Sequence, residues 1–175
     1  MEQIENLKSD LSQFASGARG AEALPPQTLE KFKFFTTPVG DDVLEIPREA
    51  VTALFRHLKE SGRYDFVMDV TCVDYPTREK RLDVVYHLFS SKTFSRLRVK
   101  TQVGEGETVK SITGIYRAAN WFEREAWDMF GVVFEGHPNL SRLLTHHEFV
   151  GHPLRKDYDA DHQQHCSVAM PLHFA

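Results

Sequence analysis

Cysteine is scarce in this chain. Cys72 and Cys166 lie far apart and form no CxxC pair, so neither a disulfide framework nor a cysteine-ligated iron-sulfur cluster can be read, and a reducing compartment is expected. Long apolar runs are missing too: nothing approaches the ~20 residues needed to cross a bilayer. The first residues, MEQIENLKSDLSQF, are too acidic and too interrupted for a signal peptide, and no Arg-rich, acid-poor presequence is visible. The expectation is a soluble chain at a bacterial cytoplasmic face, reaching a membrane only through a partner. A concentrated positive face is lacking as well. With a net charge of -4 and scattered basic residues, the chain is not expected to bind nucleic acid. There is no GxGxxG after a strand, no phosphate loop, no nucleophile elbow and no zincin motif, so no self-contained catalytic or cofactor site is predicted.

What remains is enough apolar sequence for one core. At 175 residues and 41% hydrophobic, the chain reads as one domain with tails. Ile4, Leu7, Leu11 and Phe14 recur at helical spacing and predict an amphipathic helix from about Gln3 to Ala15, ended by Gly17 and Gly20. A loop with Pro25-Pro26 leads to a half-buried strand over Glu30 to Thr36, then a short strand over Val43 to Ile46. Pro47 suits the first turn of a helix with Val51, Leu54, Phe55 and Leu58 as its apolar stripe and Gly62 as its end. Three β-rich runs, Asp65 to Val73, Arg81 to Phe89 and Phe94 to Val103, predict an antiparallel meander with turns near Tyr75-Pro76 and Ser90-Ser91-Lys92.

The densest stretch is NWFEREAWDMFGVVFEGHP, followed after a basic link by VGHPLRKDYD. Asn120 with Glu123 three residues on predicts an N-cap and a variant capping box, and Gly131 a C-terminal stop. Phe122, Ala126, Met129 and Phe130 fall on the side that faces the sheet. Trp121, Glu125 and Asp128 fall near an exposed edge, with Arg124 and Asp128 one turn apart as a surface ion pair. Glu123 and Glu125 point in different directions, so they are not expected to flank one bond as an acid-base pair.

Gly136-His137-Pro138 and Gly151-His152-Pro153 repeat one turn element, each redirecting the chain and holding its histidine extended. So few core-forming residues follow Phe134 that residues 135–175 read as an extended arm lying along another polypeptide, gaining order from that contact and not from its own domain alone. Arg155 and Lys156 then pair with carboxylates across that contact. A metal site is the rival reading, resting on His137, His146, His147, His152, His162, His165 and Cys166. It wants a second short-spaced ligand pair that the sequence lacks, so no metal is predicted.

From Trp121 to Tyr158 the chain resembles the C subunit of respiratory NADH-quinone oxidoreductase, complex I, with Glu123-Arg124-Glu125 and Asp128-Met129-Phe130-Gly131 standing where that family has its hallmark. The resemblance implies an α+β domain in two layers, helices packed on a mixed, largely antiparallel sheet, followed by the arm. It implies a non-catalytic peripheral-arm subunit of a proton-translocating complex, bracing the homologue of the hydrogenase-like D subunit near the quinone-reaction region. FMN and iron-sulfur clusters would belong to other subunits. Trp121, Glu123, Arg124, Glu125, Asp128, His137, His152, Arg155, Lys156 and Asp157 would form the partner interface. Beyond Tyr158 the resemblance ends, since DADHQQHCSVAMPLHFA replaces the acidic, β-rich tail of other members.

Overall fold

The computed structural model describes residues 2–17, 26–161, 164 and 167, with side chains from residue 5 to 12 and from 27 onward. Two helices, α1 (Glu2–Gly17) and α2 (Pro26–Leu29), precede strands β1 (Lys33–Thr36) and β2 (Asp42–Ile46). A 3-10 turn at Arg48–Ala50 runs into α3 (Val51–Glu60). Strands β3 (Phe66–Asp74), β4 (Leu82–Phe89) and β5 (Arg96–Val103) follow, then β6 (Thr108–Lys110), α4 (Ala119–Phe130) and β7 (Val133–Glu135).

The predicted meander is present: β3 pairs with β4 and β4 with β5, both antiparallel. What the sequence did not show is that β2 inserts parallel to β5, giving one mixed sheet in the order β1-β2-β5-β4-β3. β6 and β7 form a separate parallel pair. The predicted strand from Glu30 starts later, because α2 and a turn occupy the residues before Lys33.

Alternation decides which face is buried. Leu97, Val99, Thr101 and Val103 of β5 lie in register with Leu88, Tyr86, Val84 and Leu82 of β4, and all are buried. Onto this face α3 presses Leu54, Phe55 and Leu58, each fully buried and worth about 1.5–3 kcal/mol. The Phe55 ring sits 4.7 Å from that of Tyr86. Leu7 and Leu11 of α1 join this core, as their spacing predicted, while the Ile4 and Phe14 side chains lie outside the described residues. The opposite, polar face carries Arg96, Arg98, Lys100 and Gln102 on β5. α4 lies along β3 and adds Ala126, Met129 and Phe130 to the core, with Phe122 half-buried against it.

Candidate partner-binding site

The N-terminal half of α4 differs from the capping-box expectation. The helix starts at Ala119 with Ala118 as N-cap and no side-chain cap hydrogen bond. Glu123 therefore falls in the second turn, fully buried, and accepts hydrogen bonds from the Ser111 hydroxyl (2.6 Å) and the Ile112 amide (2.8 Å). It ties the β6–α4 connection to the helix and is not on an outer surface. Burial pushes its carboxyl up to about 7 against the pull of those two donors. Glu125 is exposed, as expected.

Asp128 is the larger correction. It is fully buried and does not pair with Arg124. Its carboxylate accepts from the Arg142 guanidinium (2.7 Å), the Thr145 hydroxyl (2.6 Å) and the backbone amides of Leu143, Leu144 and Thr145 (2.8–3.0 Å). Burial alone would raise it. The Thr145 hydroxyl and amide, Arg142 and the Leu143 amide outweigh that and hold the group well below the usual carboxylate range. Arg124 instead donates to the Ser141 and Arg142 carbonyls and stacks 5.0 Å over the Trp121 ring. One face of α4 thus holds residues 141–145 by two side chains of opposite charge.

The two Gly-His-Pro turns dock on the same helix. Asn139 donates its amide to Nδ1 of His137, which leaves the proton on Nε2 to donate to the Asn120 carbonyl (3.1 Å). The second turn closes the far end. A helix leaves its last carbonyls without intrahelical partners. Here Trp127 is satisfied by the Gly131 amide, Asp128 by His152 Nδ1, Met129 by the Leu154 amide and Phe130 by Arg155 Nε. Gly131 is required twice over: its φ of 80° is left-handed, and a Cβ there would stand 2.6 Å from the His152 ring. Beyond, the Lys156 amide donates to Asp74, and Arg81 bridges Asp74 (2.6 and 2.7 Å) to Asp157 (2.8 and 2.5 Å). These contacts with Arg81 hold Asp157 down at about 2.

Among the described residues the arm has no helix or strand after β7, yet it lies along its own domain. His137, His152, Arg155 and Asp157 each make hydrogen bonds inside the chain that fix the arm on its own domain. Lys156 keeps an exposed side chain. Trp121 faces outward as expected, joined by Leu144, Val150 and Leu154, each more than half exposed. Sequence reasoning missed Arg142, Thr145, Arg81 and Asp74, whose partners are remote in the chain. No group of three or more metal-ligating side chains occurs among the described residues, and His162, His165 and Cys166 lie outside them.

A family model described as the respiratory-chain NADH dehydrogenase 30 Kd subunit matches residues 44–164, a span holding the sheet from β2 onward, α4 and both docked turns. The chain belongs to this family. Relatives agree: the fused C/D subunit of NADH-quinone oxidoreductase from Bdellovibrio bacteriovorus is 64% identical over 146 residues, 83% of this chain and 26% of that protein. The C subunit of the same enzyme from Agrobacterium fabrum is 51% identical over 121 residues, 68% of this chain and 60% of its own length. The chain therefore spans about a quarter of the fused relative and under two thirds of the other. Among solved structures, a chain of the membrane-bound sulfane sulfur reductase, an archaeal respiratory membrane complex, superposes with a TM-score of 0.67 at 23% identity, covering 91% of this chain and 87% of that one, which shows the shared fold. Among the described residues no helix is long and apolar enough to cross a membrane.

Proposed function

We propose that this family member is a non-catalytic peripheral-arm subunit of a proton-translocating NADH-quinone oxidoreductase, bracing a homologue of the D subunit near the quinone-reaction region. FMN and iron-sulfur clusters are carried by other subunits, and the chain is held at the cytoplasmic face of the bacterial inner membrane through the complex. One observation carries this reading: Arg124, Asp128 and His152 fix the arm to α4, with Trp121, Leu144, Val150 and Leu154 facing outward beside these contacts. An exposed aromatic and aliphatic set on fixed backbone is what a partner buries as a hot spot. The relative whose name joins C and D in one chain supports the D homologue as that partner.

The chain's part in turnover is positional. Bracing keeps the partner's reacting groups at fixed separation, and small displacements of such groups are costly in rate. The test is Trp121→Ala combined with Leu144→Ser in the intact organism. Assembled complex on native gels and NADH-quinone activity should fall together by about tenfold or more, while the isolated variant keeps its thermal midpoint. Wild-type assembly in the double variant would refute the reading.

A further inference from the structure

Val150 is the most exposed member of the outward set, at 74%, and it stands on a loop, residues 148–151, that belongs to no helix or strand. A loop of this kind loses conformational freedom when a partner binds it, which costs affinity. Three later residues fix it beforehand. The Gln164 carboxamide accepts from the Val150 amide (2.7 Å) through Oε1 and donates to the Val150 carbonyl (2.6 Å) through Nε2. The same Nε2 donates to the Tyr158 hydroxyl (2.9 Å). One side chain thus satisfies both backbone groups of the exposed residue, as a paired strand does.

Contacts on either side of Val150 complete the clasp. The Ser167 amide (3.0 Å) and hydroxyl donate to the Glu148 carboxylate. The Tyr158 ring stacks on Phe149, with centroids 5.9 Å apart and planes 25° from parallel. It also lies against Gly151, whose φ is 92° and where a Cβ would stand 3.1 Å from the ring. Each of residues 148–151 is therefore held by Tyr158, Gln164 or Ser167, and none of these contacts involves α4. The clasp buries little: Glu148, Val150 and Ser167 are exposed, and none of residues 148–151 joins the hydrophobic core. What it determines is where Val150 points.

We propose that Gln164 is a positioning residue for docking: with Tyr158 and Ser167 it presets residues 148–151 in the conformation in which Val150 meets the partner. The proposal rests on the reading of Trp121, Leu144, Val150 and Leu154 as the docking face. It adds how the most exposed of the four is held. Presetting the loop in the free chain removes an ordering cost that binding would otherwise carry.

Gln164→Met matches the side chain in length and removes its amide, and with it all three hydrogen bonds. In the free chain the Val150 amide should exchange with deuterium about tenfold faster, while the thermal midpoint stays unchanged because no core contact is lost. Retention of the variant in the native complex should fall about fivefold. Val150→Ser should lower retention too, and the two substitutions together should lower it no further than the larger single loss, because Gln164 acts through Val150. Additive losses overturn the proposal, as do wild-type exchange at Val150 or wild-type retention of Gln164→Met beside a defective Val150→Ser. Wild-type retention of Val150→Ser and of the Trp121 and Leu144 double variant overturns the docking face itself. That failure is separable, since exchange at Val150 is read in the free chain.

Discussion

Glu123 and Asp128 share one helix and are equally buried, yet they end in opposite states. Glu123 has two uncharged donors, Ser111 and Ile112, and its carboxyl rises to about 7. Asp128 has five donors, one of them a guanidinium, and stays ionised far into acid. Solvent reaches neither side chain, and the Arg142 guanidinium with the larger number of donors outweighs desolvation at Asp128, as the two uncharged donors do not at Glu123. The Glu123 half of α4 ties the helix to its own domain without a cation. The Asp128 half organises the arm around a charge.

The sharpest way to break this contrast is Asp128→Ala, which strips five donors of their acceptor and leaves Arg142 half-buried and unpaired. A loss of about 3–5 kcal/mol in urea unfolding is expected, with protease cutting first within residues 141–145. Glu123 should give a change of about 3 kcal/mol across pH. The folded carboxyl holds its proton up to about 7, while the unfolded one releases it near 4.5. Stability therefore falls as pH rises through that window and levels off above it. Glu123→Gln should abolish this slope, and a slope equal to wild type would mean the group is ionised throughout. Asp128 has the opposite sign: its contribution is full above the ordinary carboxylate range and is lost only as pH drops below about 4.

Smaller effects test how the arm closes the helix. Gly131→Ala forces a left-handed alanine against the His152 ring and should cost about 2 kcal/mol, read as a lowered thermal midpoint. His152→Ala removes one donor to the Asp128 carbonyl and should cost about 1 kcal/mol in the same measurement.

The local half of this contrast was legible and the long-range half was not. The apolar stripe Ala126, Met129, Phe130 and the stop at Gly131 follow from helical periodicity and left-handed preference, both properties of neighbouring residues. The meander was readable because its strands pair with their nearest neighbours in sequence. The parallel β2–β5 pairing was not, since no local pattern says which strand inserts beside which. Helical periodicity alone puts Asp128 on an outer edge, because its five donors come from residues 142–145, beyond the helix and a strand. Asn120 and Glu123 matched the capping spacing, but the turn at Ile112–Tyr116 delivers the chain into the helix before Asn120 can cap it. The arm's composition suggested dependence on a neighbour. Its hydrogen-bonding groups met carbonyls that α4 had left open.

That closure has a bearing on synthesis. Residues leave the ribosome in order, at about 5–20 per second. The donors at His152, Leu154 and Arg155 therefore emerge after α4 is already made, and until then the Asp128, Met129 and Phe130 carbonyls have only water. A nascent chain stopped short of these donors already has the Asp128 grip on residues 143–145, yet the end of its helix is still open. The C-terminal end of α4 is thus the last part of this helix to be completed, sealed by residues 24 and 25 positions further along the chain.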